Sequence, residues 1–341
     1  MQINPQVTVD ELRLQTDEIF QVESLLYQLE QEFQSVENPS LHDRLWYYMH
    51  QMPTRIKEHL INYFKQDLGY GAIVIKGHQI DDHKIGDTPA SYAPDNPHTI
   101  REELLTALYG AILGDIIGWE EQQKGRMVND IVPLQGNEYI QAGSSSKQQL
   151  HLHVEESFHP YRADQLLLFC LRNDSKVPTV ISSISALELD DDEKEALFQS
   201  HFCFHPYGDF DKTNEEFTSP RPVLFGAWEN PYVRIDPADM HVLEGAETSK
   251  RVLDSLANAL KDNAHDLILE PGDLCIVDNF RVVHGRGAFT ANYDGRDRWL
   301  KRVNVARDLR KSRDARISSS SRVILASKVN TRQSSLQVQH Q

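Results

Sequence analysis

Apolar residues in the first part of the chain fall at helical spacing. Across "EIFQVESLLYQLEQEF", Ile19, Val22, Leu25, Leu26 and Leu29 recur mostly at three- and four-residue steps, one stripe of an amphipathic helix. Asn38-Pro39 breaks the pattern, and "RIKEHLINYFKQDL" resumes it before "GYG". The next run, "YGAIVIKGH", is short, unbroken and rich in Val and Ile, which predicts a buried strand. After the Pro/Asp/Asn loop "DTPASYAPDNPH", the stretch "TIREELLTALYGAILGDIIG" reads as helix, with Thr99 as N-cap and Glu102 in capping-box position.

Beyond Trp119 the period changes. "NEYIQAGS", "QLHLHVE", "QLLLFCLR", "TVISSIS", "YVRID", "DLCIVDN" and "WLKRVNVA" predict short strands, interrupted by helices at "DDEKEALFQSH" and "TSKRVLDSLANALKDN". Helices followed by many turn-separated strands predict an α+β fold with a β-sandwich or barrel core. From about Ser312 the chain is polar and rich in Ser, Arg and Gln, which predicts a poorly ordered tail in which "SRVILAS" could still pair.

The 341 residues, 40% apolar, suffice for one large domain or two small ones with a sizeable core. A net charge of -16 argues against nucleic acid as the main partner, because phosphate binding needs a basic patch; it leaves room for a small cationic substrate, which an acidic field would favour. Three widely spaced cysteines give no disulfide framework, and neither a signal peptide nor a transmembrane run is visible, so a reducing cytoplasm is expected.

The candidate chemistry lies in "HLHVEESFHPYR". In a strand, residues i and i+2 share a face, so His151, His153 and Glu155 line one side. An imidazole and a carboxylate roughly 6–7 Å apart along a strand can converge on one divalent cation. Such a pair needs a distant histidine to complete a two-His-one-carboxylate iron site. "PGDLCIVDNFRVVHGRGAF" supplies His284, and Arg298 follows fourteen residues later in "YDGRDRWLKRVNV". Arg298, Leu300 and Arg302 share one strand face, and Trp299 and Lys301 the other; two arginines aimed into a concave site would bind carboxylates.

These segments, "HVEESFHPYRAD" and "VDNFRVVHGRGAFTANYDGRDRWLKRV", resemble the iron(II)/2-oxoglutarate-dependent oxygenases. More narrowly, the chain is similar to the clavaminate synthase-like branch, which includes hydroxylases of free arginine, lysine and asparagine and uses Glu where many relatives have Asp. The likeness spans roughly Gly110 to Val305. It implies a distorted double-stranded β-helix (a jelly-roll or cupin-like core) flanked by N-terminal helices. The expected layout is one oxygenase domain over residues 1–311, with helices at about 8–68, the jelly roll at about 70–311, and a tail at 312–341.

The resemblance also implies roles. His153, Glu155 and His284 would bind Fe(II). Arg298 would hold the distal carboxylate of 2-oxoglutarate, helped by Thr179 or Ser144. Arg302 would hold the substrate's α-carboxylate, and Gln122 its amino-acid end. Asp236 would meet a basic side chain from a lid position. Arginine hydroxylases of the branch carry an acidic pair two residues apart; here Ala238 takes the second position and Asp239 follows, which leaves lysine and other amine or ureido side chains open beside arginine. The implied reaction consumes O2 and 2-oxoglutarate, with ascorbate as a supporting reductant in vitro, and hydroxylates a C–H bond of a small amino acid. A carrier-tethered substrate, a desaturation and a non-catalytic cupin-like metal-binding protein are the alternatives. The stretch "KTNEEFTSPRPVLF" is the candidate lid. His151, Glu156, His159 and Arg162 are expected at the surface or in supporting roles, Arg286 near the cofactor or capping a loop, and the cysteines in the core.

Overall fold

The computed structural model describes residues 1–3, 9–65, 69–92, 96–205 and 218–326. Twelve strands form its two main sheets: β1 (Asp10–Arg13), β2 (Ala72–Lys76), β3 (Asp115–Trp119), β4 (Val128–Ile131), β5 (Leu150–His153), β6 (Gln165–Arg172), β7 (Thr179–Ser183), β8 (His265–Leu267), β9 (Leu274–Asp278), β10 (Val282–Arg286), β11 (Trp299–Ala306) and β12 (Val323–Ile324). The larger sheet runs β12-β3-β11-β6-β9-β2-β1, with β4 also paired to β11; the smaller runs β8-β7-β10-β5. Pairing is antiparallel apart from β1 with β2 and β12 with β3. This mixed sheet core with flanking helices is the jelly-roll-like α+β architecture.

β6, "QLLLFCLR", shows why the sequence lacks alternation here: all eight residues are buried. Leu166, Leu168 and Cys170 pack between the sheets with Ile181 and Val282. Leu167, Phe169 and Leu171 pack outward against a helical layer that includes Val22, Leu26, Leu104 and Leu108. Burial on both faces removes the polar half of the strand pattern. The helical layer comprises Thr16–Glu32, Pro39–Met49, Thr54–Lys65 and Ile100–Leu113. Asn38-Pro39 starts a helix rather than ending one, since the first helix already stops at Glu32, the Asn38 side chain accepts from the Ser40 amide and Pro39 opens the first turn. No helix among the described residues is long and apolar enough to cross a membrane.

Four local expectations need correction. The helix read through Gly118 stops at Leu113. A Cβ on Gly114 would stand 2.4 Å from the Ala306 carbonyl oxygen, so the chain turns hard against β11 there and spends the next residues pairing with Asn304–Ala306. Thr99 does not cap this helix; its hydroxyl bonds Glu103 and the Asn96 carbonyl, and Asn96 caps a preceding short turn. "NEYIQAGS" forms no strand. Its hydrogen bonds are local, as from Asn137 to Leu134 and Ile140 to Asn137, and Tyr139 and Ile140 face solvent. Finally, residues 312–326 lie on the body of the protein: Val323 and Ile324 pair with Gly118 and Trp119, and the Ala326 amide bonds the Glu121 carboxylate. Residues 327–341 lie outside the described ones, as does the lid candidate up to residue 217; its end, Leu224–Phe225, pairs with Tyr232–Val233.

Candidate metal centre and binding cavity

β5 and β10 run side by side, and His153 and His284 are direct cross-strand partners. The close approach depends on Gly285, where a Cβ would stand 2.5 Å from the Leu150 carbonyl oxygen. Glu155 lies just past β5 and is fixed by Asn279. The asparagine Oδ1 accepts the Glu155 amide at 2.8 Å, and its Nδ2 donates to the carbonyls of Glu155 at 3.1 Å and Ala163 at 3.0 Å. One donor atom from each of His153, Glu155 and His284 lies within 4.8 Å of the others, and all three residues are buried.

The donor set fits iron(II). The His153 Nδ1 sits 2.8 Å from the His151 carbonyl, which places the proton on Nδ1 and leaves Nε2 as the lone-pair atom. The two imidazole centroids are 4.5 Å apart, and the His284 Nε2 is 3.2 Å from the Glu155 Oε1. Two imidazoles and one carboxylate on a single side, with a cavity on the other, form the open facial arrangement of non-haem iron oxygenases. His151 contributes only its carbonyl; its side chain is exposed.

Burial alone would raise the Glu155 carboxyl. The charge of Arg302 and the imidazoles of His284 and His153 overcome it and hold the group well below its ordinary value, ionised as a ligand must be. Burial and the nearby His153 lower His284, favouring the neutral ring. Next in the chain, Glu156 adopts a left-handed backbone (φ 45°) that turns its side chain back to the site. It is fully buried, which leaves the supporting role of the two expected, and burial together with the Glu155 charge pushes its carboxyl well above the usual range.

Two cationic ends flank the triad. At one, the Arg298 Nη2 donates to the Thr179 Oγ1 at 2.8 Å, and the guanidinium has no acidic partner among the described residues. Burial lowers Arg298 to about 10, so it stays charged at neutral pH. The Ser144 Oγ accepts from the Asn137 Nδ2 at 3.0 Å on the same cavity wall. At the other end, the Arg302 Nη1 lies 3.1 Å from the Glu155 Oε1, and its Nη2 donates to the Gln122 Oε1 at 2.6 Å and the Asn129 Oδ1 at 3.2 Å. Gln122 in turn donates to the Glu156 Oε1 at 3.1 Å.

One cavity thus gathers eight of the nine residues singled out from the sequence: Gln122, Ser144, His153, Glu155, Thr179, His284, Arg298 and Arg302. The ninth, Asp236, is buried outside that wall, near enough to His153 for the imidazole charge to act on it. Burial raises its carboxyl to about 6. It accepts from the Ala238 amide, and no cationic side chain pairs with it among the described residues. The sequence assigns no role to Asn279 or Gly285, although the motif "DNFRVVHG" contains both.

Known proteins agree with this geometry. Residues 53–304 match the family model described as "Taurine catabolism dioxygenase TauD, TfdA family". The chain is 37% identical to the enduracididine beta-hydroxylase of Streptomyces hygroscopicus, over 92% of its own length and 99% of that protein. It is 35% identical to the L-ornithine/L-arginine 3-hydroxylase of Catenulispora acidiphila, over 74% and 81% respectively. The non-heme iron oxygenase OrfP, solved with Fe and alpha-ketoglutaric acid, superposes with a TM-score of 0.86 at 35% identity, covering 92% of this chain and 99% of that one. The chain therefore belongs to the TauD/TfdA family, and is an iron(II)- and 2-oxoglutarate-dependent dioxygenase of the clavaminate synthase-like branch.

Proposed function

We propose that the enzyme hydroxylates an aliphatic C–H bond of a free basic L-amino acid, with arginine-type side chains the foremost candidates. The observation that carries this reading is Asp236, a buried carboxylate close to the iron-binding imidazole and without a cationic side chain beside it among the described residues. A buried carboxylate without a cation is costly, and a guanidinium or ammonium would relieve that cost. Relatives support the choice: the ornithine/arginine hydroxylase acts on such side chains by its name, and OrfP has been solved with Fe, succinate and (3S)-hydroxy-L-Arg.

In this reading His153, Glu155 and His284 hold iron(II). Arg298, with Thr179 and Ser144, holds the distal carboxylate of 2-oxoglutarate. Bound iron and 2-oxoglutarate supply oxidative decarboxylation of the keto acid with O2, coupled to hydroxylation of the substrate. Arg302 takes the substrate α-carboxylate, while Gln122 and Glu156 take its ammonium. Asp236 takes the side-chain cation, so the two ends of the substrate fix which carbon faces the metal.

The test is succinate release with iron(II), ascorbate and 2-oxoglutarate across the free amino acids, with mass spectrometry of each product. Turnover confined to arginine, ornithine, lysine or their analogues, with one oxygen atom gained, is expected. Asp236→Asn should depress that turnover far more than it depresses turnover of a neutral amino acid. Equal loss on both would make Asp236 structural and remove the basis for a cationic substrate.

A further inference from the structure

A second arginine, Arg286, is buried in the same wall as Arg298. It lies on β10 two residues beyond His284 and opposite Thr179 of β7, the residue that bonds Arg298. No acidic side chain pairs with it among the described residues. Every nitrogen of its guanidinium is nevertheless spent. Nη1 donates to the Ser145 carbonyl; Nη2 donates to the Ser145 Oγ at 3.0 Å and the Gln148 carbonyl at 2.8 Å; Nε donates to the Gly287 carbonyl at 3.1 Å. The group also lies 5.1 Å over the Phe289 ring, and the Phe289 amide donates to the Ser146 carbonyl.

The residues it grips belong to the stretch 132–149, which contains neither helix nor strand. Yet Gln141, Ala142, Gly143 and Ser144 of that stretch line the cavity. A long irregular wall has no sheet ladder to fix it, so its position must come from side chains. With four of its five N–H donors on backbone carbonyls and one serine hydroxyl, the guanidinium is committed chiefly to holding this wall.

We infer that Arg286 is a positioning residue for 2-oxoglutarate, latching residues 142–148 across the Arg298–Thr179 end of the cavity so that the cofactor's distal carboxylate meets a preformed pocket. This rests on the reading that Arg298 holds that carboxylate. The planar fork is the essential feature, because a lysine ammonium would keep the charge but could not span Ser145, Gln148 and Gly287 together.

The experiment compares Arg286→Lys, Arg286→Gln, Ser145→Ala and Arg298→Gln in the iron-loaded enzyme. The measurements are KM for 2-oxoglutarate, KM for the amino acid, the anaerobic absorbance titration of the iron–2-oxoglutarate complex, and the thermal melt. Both Arg286 variants should raise KM for 2-oxoglutarate about 10-fold or more and weaken the titration in step, as losses of supporting contacts to a metal site commonly do. KM for the amino acid should move by less than about two-fold, because its α-carboxylate end is built from Arg302 on β11 and Gln122 in the turn after β3. Ser145→Ala removes one of the contacts and should raise KM for 2-oxoglutarate about 2- to 5-fold; it decides the matter if the Arg286 variants do not fold.

Wild-type behaviour in Arg286→Lys with loss in Arg286→Gln would make charge, not the latch, the active property and overturn the inference. So would unchanged KM for 2-oxoglutarate in all variants except Arg298→Gln. If Arg298→Gln itself leaves that KM unchanged, the underlying cofactor assignment fails instead.

Discussion

Replacing Arg298 by glutamine should remove most of the binding energy that distinguishes 2-oxoglutarate from keto acids without a distal carboxylate. The guanidinium is buried, one nitrogen is spent on Thr179, its Nε is buried without a partner, and no acid side chain offsets its charge among the described residues. A ligand carboxylate would therefore complete a desolvated charge pair. Truncating one half of such a pair costs about 2–5 kcal/mol, which corresponds to a rise in the 2-oxoglutarate dissociation constant of about 30-fold to a few thousand-fold. Removing the carboxylate from the ligand should cost the wild-type enzyme a similar amount and the variant almost nothing. The assay is anaerobic titration of the iron-loaded wild-type and Arg298→Gln proteins with 2-oxoglutarate and with 2-oxobutyrate. Additive losses, with the variant still preferring 2-oxoglutarate by the wild-type margin, would refute the pairing and require another cation for that carboxylate.

Three further outcomes are expected. Lys301→Met should destabilise the fold by about 3–5 kcal/mol, because the fully buried ammonium sits 2.7 Å from both Glu103 and Asp130 and its loss leaves two buried carboxylates to Arg126; a denaturant midpoint close to wild type would contradict this. Burial raises Glu102 to about 7, so its ionisation costs stability as pH climbs from about 4.5 through 7. Glu102→Gln should then melt above wild type at pH 8 and converge with it below about pH 4.5, and a constant offset across that range would exclude ionisation as the cause. Gly285→Ala should push β5 away from β10, since its Cβ would meet the Leu150 carbonyl at 2.5 Å; iron affinity equal to wild type by competitive chelation would show that the strands yield without moving the histidines.

The parts of the site that the sequence disclosed are those set by a single strand. The two-residue period puts His151, His153 and Glu155 on one face and Arg298 with Arg302 on another; His153 and Glu155 do converge and both arginines line one cavity, while the His151 side chain is exposed. What stayed hidden depends on contacts between distant elements. Glu155 is aimed by Asn279, 124 residues away, through hydrogen bonds that no local pattern records. The sequence leaves Glu156 between the surface and a supporting role, and its left-handed backbone together with its burial decides for the second. The end of the helix Ile100–Leu113 is hidden for the same reason, since "GDIIG" is apolar enough for either state and the nearness of Ala306 to Gly114 decides between them.

β11 shows how the legible and hidden parts combine. Its inward face carries Leu300 and Arg302, Arg298 directly precedes its first residue, and all three line the cavity. Its outward face carries Trp299 and Lys301, which meet Asp130 of β4 and Glu103 of the helix Ile100–Leu113. The Trp299 Nε1 donates to the Asp130 Oδ1 at 2.6 Å, so one aspartate serves both neighbours. These buried bonds fix how far β11 can slide against β4 and the helical layer. Bidentate recognition of a carboxylate tolerates only small displacement. The ion cluster behind the strand therefore helps hold Arg298 and Arg302 in place in the cavity wall beside His153, Glu155 and His284.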